Sequence, residues 1–117
     1  MGMYVIEYYT RRNGYQPVIE WLANLSIEHR SVIINKIKKL SDYGLLLLGT
    51  EALKAISGDD KDLYEIRGGQ CRVATYYDRQ RSTFVLLHAW LKKKPKHEQD
   101  IEQARHILHE YLATKKR

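Results

Sequence analysis

Residues 63–94 read LYEIRGGQCRVATYYDRQRSTFVLLHAWLKKK and have the clearest strand pattern in the chain. It contains three short runs that are rich in β-branched and aromatic residues. Gly68 and Gly69 separate the first run from the second, and the polar residues 78–82 separate the second from the third. Runs of this composition, joined by such short turns, predict a three-stranded antiparallel meander.

Alternation along each predicted strand sends its side chains to two faces of the sheet. Glu65 and Arg67 share one face of the first strand. On the second strand, Arg72 shares a face with Ala74 and Tyr76. The third run is apolar on both faces, which is typical of a central strand that is covered on both sides.

A histidine and a group of lysines close the third run. His88 lies near its end, and Lys92, Lys93 and Lys94 follow it. Arginines on a strand face, lysines at a strand end and nearby tyrosines form a surface suited to a polyanion. The net charge of +6 over 117 residues also favours an anionic partner.

The flanking segments predict one more strand and three helices. Residues 3–9 have the composition of a strand. Apolar residues recur at helical spacing in residues 17–25, 26–43 and 96–112. We expect residues 45–61 to be a connection, buried at its start and then a loop with one short turn. The predicted order is β-α-α-β-β-β-α, an α+β fold in which an antiparallel sheet packs against a helical hairpin and a C-terminal helix.

Composition restricts the class of protein. A chain of 117 residues is expected to form one domain, residues 1–117. Cys71 is the only cysteine, so no disulfide forms within the chain, which fits a reducing cytoplasm. No run approaches ~18 consecutive apolar residues, and no signal-peptide pattern is visible. We therefore expect a cytoplasmic protein without a membrane-spanning segment.

Several features of the chain together resemble a known family. They are LYEIR at 63–67, CRV at 71–73 and VLLH at 85–88 before the lysines, within the order β-α-α-β-β-β-α. The chain resembles the HigB group of the RelE/ParE toxin superfamily, which includes phage-derived Gp49-like proteins. This resemblance implies a RelE-like fold, no cofactor and no metal. It also implies a cognate antitoxin as partner, and cleavage of mRNA on the ribosome.

The resemblance carries the family's basic residues over to Arg67 and Arg72 on the strands and to Lys93 or Lys94 after the last strand. Some relatives place a catalytic tyrosine in or just before the final helix. Residues 96–100 read KHEQD here, without a tyrosine, so the acid–base residue stays open. The expected catalytic residues are Arg72, Arg67, Lys93 and His88. The residues expected to contact RNA are Lys92, Lys94, Tyr76 and Lys96.

Metal-free RNA cleavage uses the neighbouring 2′-hydroxyl as the nucleophile. It needs a base for that proton, cations for the extra negative charge of the transition state, and an acid for the leaving 5′-oxygen. Arg72 suits the cationic role because its planar fork can hold two phosphate oxygens. His88 can exchange protons near neutral pH.

Each assignment has a structural alternative. Glu65 could pair with Arg72 across the strands or hold Arg67, and His88 could be a buried histidine satisfied by the backbone. The lysines could form a solvated turn. His106 and His109 lie three residues apart, but they lack the further ligands of a metal site. At the level of function, the alternatives are a gyrase poison on the same fold and a non-catalytic nucleic-acid-binding adaptor of phage origin.

Overall fold

The computed structural model describes residues 2–93 and 97–115. Five strands and three α-helices follow one another in the order β-α-α-β-β-β-β-α, with a 3-10 turn at Gly44–Leu47. The elements are β1 (Val5–Tyr8), α1 (Pro17–Ala23), α2 (Ile27–Tyr43), β2 (Leu53–Ala55), β3 (Leu63–Gly68), β4 (Cys71–Asp78), β5 (Thr83–Leu91) and α3 (Glu98–Lys115).

The five strands form one sheet in the order β1-β5-β4-β3-β2. The predicted meander is present, because β3, β4 and β5 pair antiparallel in sequence order. The prediction of a wholly antiparallel sheet was wrong for β1, which pairs parallel with β5. No tight turn joins β1 to its neighbour, since the helices and the meander lie between them in sequence. A long connection of this kind permits a parallel pair.

The segment before the meander also differs from its prediction. Residues 53–55 form an edge strand that pairs antiparallel with β3, where we expected a loop. Three residues are too few to reveal an alternating pattern. The expected buried connection at 45–48 is also wrong in part, because Leu46 is 80% exposed and Leu48 is 39% exposed, while Leu45 and Leu47 pack against the core.

The helical hairpin covers one face of the sheet. Ser26 caps the N-terminus of α2 as predicted, and its Oγ accepts a hydrogen bond from the backbone N–H of His29 at 3.3 Å. Gly44 ends α2 with a φ of 55°. A Cβ at Gly44 would lie 2.3 Å from the Tyr4 ring, and both this close approach and the positive φ favour glycine there. The residues of α2 that are buried against the sheet are Ile33, Ile37 and Leu40.

Helix α3 covers the opposite face. Its buried side chains are Ala104, Ile107, Leu108 and Tyr111. Glu110 accepts hydrogen bonds from Tyr9 and Arg11, and the Arg11 hydrogen bond is the main cause that lowers the pKa of Glu110. These contacts fix the C-terminal half of the helix on the sheet.

Asp78 provides a second polar anchor for α3. Its side chain is 1% exposed and accepts hydrogen bonds from Tyr111 at 2.8 Å and Lys115 at 2.6 Å. Burial alone would raise the pKa of Asp78, but these two partners outweigh it and the pKa is lowered. The same burial and the hydrogen bond to Asp78 raise the pKa of Tyr111.

An irregularity in the β4–β5 pair directs side chains toward α3. Ala74 pairs with His88 but Thr75 pairs with Leu86, so Leu87 has no partner in the register. Leu87 packs with residues of α3, and His88 also reaches α3. The bulge therefore shifts the alternation of β5 by one residue and places His88 and Trp90 on the same face of the sheet as the arginines.

Candidate functional site

Two arginines face each other at the end of the β3–β4 hairpin. Arg67 and Arg72 are direct partners in the register. Both belong to the face of the sheet on which α3 lies. The guanidinium of Arg72 is largely enclosed, with its side chain 12% exposed, whereas Arg67 is 30% exposed. The less enclosed Arg67 is therefore better placed to meet an incoming anion.

The hairpin turn holds the Arg72 side chain. Its Nη1 donates to the carbonyl oxygens of Gly69 at 2.7 Å and Cys71 at 2.9 Å. Burial lowers the pKa of Arg72 from its ordinary value. An arginine remains charged at neutral pH in spite of such a shift, because its ordinary pKa is so high. Arg72 is thus a fixed cation beneath the turn.

Glu65 lies between these cations and was not predicted as a site residue in its own right. Its side chain is 4% exposed, and its Oε1 lies 2.7 Å from Nε of Arg67 and 3.7 Å from Nε of Arg72. A carboxylate this deeply buried requires charged or hydrogen-bonding partners. Glu65 therefore orients both guanidinium groups. This agrees with the alternative raised from the sequence, in which Glu65 pairs with Arg72 or holds Arg67.

His97 adds a fourth ionisable side chain to the cluster. Its Nδ1 lies 3.8 Å from Oε2 of Glu65, and its ring centroid is 5.9 Å from that of Trp90. Sequence reasoning did not select His97. One signal could have found it, since this position just before α3 is where some relatives carry a catalytic tyrosine.

Three nitrogen atoms at this site are buried and lack a hydrogen-bond partner within the described residues: Nε of Arg72, Nε1 of Trp90 and Nδ1 of His97. Buried polar groups in proteins are normally satisfied. Nδ1 of His97 and Nε of Arg72 both lie beyond hydrogen-bonding distance of Glu65. A small movement of the glutamate, or an added polar ligand, would satisfy them.

The predicted catalytic residue His88 takes part in a different contact. Its Nε2 lies 2.9 Å from Oδ1 of Asp100 on α3, and its ring stacks on Trp90 with a centroid separation of 5.6 Å. Its partner is therefore a carboxylate rather than the backbone group that we considered. His88 connects β5 to α3 beside the arginine cluster, with Trp90 between His88 and His97.

The other predicted residues lie at different distances from the cluster. Lys92 and Lys93 follow β5. The backbone N–H of Lys92 donates to the Gln70 carbonyl at 2.8 Å, so Lys92 lies next to the hairpin turn. Tyr76 shares the face of Arg72 but packs beside Tyr111 under α3. The structure therefore does not bring Tyr76 to the arginines. The two other predicted RNA contacts, Lys94 and Lys96, lie outside the described residues.

A cleft of about 380 Å³ opens beside the cluster, between β2 and the N-terminal half of α3. Glu65, Arg67 and His97 line one part of it, so the charged groups are accessible from this side. Other lining residues are Lys54, Ile56, Ser57, Glu98, Ile101, Glu102 and Arg105.

Within residues 2–93 and 97–115, no group of three or more metal-ligating side chains is gathered in a geometry that could hold a metal ion. In the same part of the chain, no helix is both long and apolar enough to cross a bilayer. The ionisable side chains that the structure brings together in the cluster are Glu65, Arg67, Arg72 and His97.

Comparisons with known proteins bear on the family and on the fold. Residues 20–109 match the profile of a family described as phage-derived protein Gp49-like. A chain in the crystal structure of an archaeal RelE–RelB complex from Pyrococcus horikoshii OT3 superposes with a TM-score of 0.60 at 17% identity, over 78% of this chain and 97% of that one. This similarity confirms the predicted RelE-like α+β fold.

A second solved structure, the toxin–antitoxin complex RelBE2 from Mycobacterium tuberculosis, matches with a TM-score of 0.48 at 17% identity, over 80% of this chain and 97% of that one. No curated protein sequence matches significantly. Membership of the HigB group remains a prediction.

Proposed function

The chain belongs to the Gp49-like family of phage-derived proteins, and from that premise we propose that it is the toxin of a type II toxin–antitoxin pair. Its activity is endonucleolytic cleavage of mRNA on the ribosome, without a metal. The observation that carries the proposal is the cluster of Arg67, Arg72 and His97 around the buried carboxylate of Glu65.

The arginines supply the electrostatic part of the reaction. When the 2′-oxygen attacks phosphorus, the phosphate gains negative charge that fixed cations stabilise. Arg67 is the more exposed of the pair and contacts the phosphate oxygens, while Arg72 is held by the hairpin turn and adds a positive field from below. Because Glu65 and the turn hold both side chains before substrate arrives, little reorganisation is needed during the reaction.

His97 supplies the proton transfer. Nδ1 of His97 lies 3.8 Å from Oε2 of Glu65, and a small movement would let Nδ1–H donate to this carboxylate. Nε2 is then the nitrogen that accepts a proton. It takes the proton of the 2′-hydroxyl as the 2′-oxygen bonds to phosphorus. The bond from phosphorus to the 5′-oxygen breaks on the opposite side, and Lys93 gives that oxygen a proton. The products are a 2′,3′-cyclic phosphate and a 5′-hydroxyl.

Two further observations support a toxin that is paired with an antitoxin. The fold is similar to that of an archaeal RelE protein solved in complex with RelB. The net charge of +6 and the arginine cluster would attract an acidic partner segment, which could block the site by charge complementarity. Cleavage on ribosomes and inhibition by an antitoxin both place the protein in the cytoplasm of a bacterial cell.

The experiment is controlled induction of the chain in bacteria, followed by primer extension on a reporter transcript. We expect growth arrest and discrete cuts in the transcript that disappear when translation initiation is blocked. Growth arrest with intact transcripts and DNA breaks would overturn the proposal and favour the gyrase poison. Cuts that persist without translation would remove the ribosome from the mechanism.

A further inference from the structure

The cleft beside the arginine cluster has two walls of different origin. One wall is β2 and the residues after it, with Lys54 and Ile56. The other wall is one face of α3, where Glu98, Ile101 and Glu102 recur at helical spacing. From residue 98 to residue 105 the helix rises by about 10 Å, so the cleft has the length of a single nucleotide rather than of an RNA strand.

Arg105 closes the far end of the cleft. Its guanidinium hydrogen-bonds to the Ser57 carbonyl and lies 3.6 Å from the Asp60 carboxylate, and so joins α3 to the loop after β2. Gly58 makes room for it, because a Cβ there would lie 2.4 Å from Arg105 Nη2. The opposite end reaches Arg67 and His97. The cleft is therefore a pocket that leads away from the position of the scissile phosphate.

We propose that this pocket binds the nucleobase next to the scissile phosphate and prefers guanine. The inference rests on the proposed function. Ile56 from the segment after β2 and Ile101 from α3 both line the pocket, and both pack on the buried cluster of Ala74, Trp90 and Ala104. They form an apolar floor, which suits one face of a flat ring.

The polar groups of the pocket determine which nucleobase it prefers. Glu102 lies one helical turn beyond Glu98, in the direction of Arg105, whereas Glu98 directly follows His97. Glu102 is exposed, and it makes no ion pair or hydrogen bond with the described residues. An ionised carboxylate only accepts hydrogen bonds. Guanine presents two adjacent donors, N1–H and the 2-amino group, to one such carboxylate. Adenine and cytosine present one amino group, and uracil presents carbonyl oxygens on both sides of its single N–H.

Lys54 completes the recognition from the other wall. Its ammonium can donate to the O6 acceptor of guanine, and no ion pair holds Lys54 among the described residues. The pocket carries both signs of charge, with Lys54 and Arg105 against Glu98 and Glu102. This balance favours a neutral base with donors and an acceptor over a second phosphate.

The test is an NMR titration of the full chain with GMP, AMP, CMP and UMP, which share one phosphate and differ only in the base. We expect GMP to shift the backbone amides around Ile56 and Ile101 and to bind at least about tenfold more tightly than UMP, the scale of one bidentate base contact. Glu102→Gln should remove that difference. Glu51→Gln, an exposed glutamate outside the pocket, should keep it.

Equal binding of the four nucleotides, or shifts confined to residues outside the pocket, would overturn the inference. The outcome of the titration can be distinguished from the outcome of the transcript assay that tests the proposed function. Transcript cuts on ribosomes without a guanine preference in the titration would refute only the pocket. A guanine preference that depends on Glu102, in a chain that never cuts RNA, would uphold the pocket and refute the nuclease.

Discussion

Arg67 and Arg72 stand directly opposite each other on neighbouring strands, so two like charges share one end of the sheet. Like charges in directly opposed positions destabilise a strand pair. The carboxylate of Glu65 offsets this repulsion because it lies within 4 Å of both guanidinium groups. The site therefore depends on a buried acid to keep its cations in place.

Glu65→Gln tests that dependence, because glutamine keeps the size of the side chain and loses its charge. We expect the free energy of unfolding to fall by about 2 kcal/mol, the scale of leaving buried charged donors without their partner. Cleavage should fall with it, since the arginines lose their fixed orientation. Urea unfolding and a single-turnover cleavage assay measure the two effects. Unchanged values for both would show that Glu65 is not a positioning residue.

His97→Ala tests the proton-transfer role. The side chain is partly exposed and contributes little to the core, so the melting temperature should change by no more than a few degrees. The cleavage rate should fall by about two to four orders of magnitude, the usual contribution of a general acid or base. His106→Ala is the control, because His106 is an exposed histidine on α3, the helix that follows His97. A His97→Ala rate within a few-fold of wild type would remove His97 from the mechanism.

Arg72→Lys separates the charge of Arg72 from its shape. Lysine keeps the positive charge, but its single ammonium cannot replace both Nη1, which donates to Gly69 and Cys71, and Nε, which lies 3.7 Å from Glu65. Ribosome affinity should change by only a few-fold, because salt-dependent binding follows the total charge. Cleavage should fall by up to about a hundredfold, because the retained charge is no longer held in a fixed position beneath the phosphate. Arg79→Lys, at an exposed arginine paired with Asp62, is the control. Equal cleavage by both variants would make Arg72 a structural residue.

Acid should weaken the attachment of α3. The pKa values of Asp78 and Glu110 are both lowered in the folded protein, so at acid pH the unfolded chain binds more protons than the folded chain. Their contribution to stability is complete above the ordinary carboxyl pKa of roughly 4 and is lost as pH falls through the lowered values. Urea unfolding from pH 6 to pH 3 measures this loss.

Asp78→Asn removes one of the two carboxylates and should flatten this pH dependence, while Asp59→Asn, an exposed aspartate, should leave it unchanged. A free energy of unfolding that stays constant from pH 6 to pH 3 in the wild-type protein would contradict the assignment.

The sequence allowed the meander, the helical hairpin and the faces of β3 and β4 to be predicted, because these follow from local alternation and helical spacing. Residues 53–55 were too short to show a pattern, and the parallel placement of β1 depends on packing after long connections. The bulge at Leu87 could not be predicted either, because it changes the register between β4 and β5 and leaves the composition of each strand unchanged.

For the site, sequence reasoning selected Arg67 and Arg72 but not the way in which they are held. Glu65 was visible only as a possible partner. The meeting of Glu65 with His97 requires α3 to fold back over the sheet, which no local pattern encodes. His88 was predicted as a catalytic residue because it is a histidine within an apolar strand. In the structure its ring contacts the carboxylate of Asp100 on α3.

The chemistry of the cut tests the central claim most directly. A purified ribosome complex would carry an mRNA with a single cleavage site, in one sample with the natural ribose and in a second with 2′-deoxyribose on the 5′ side of the cut. We predict a 2′,3′-cyclic phosphate and a 5′-hydroxyl from the first mRNA and no cleavage of the second. Products with a 3′-hydroxyl and a 5′-phosphate, or equal cleavage of both messages, would contradict it.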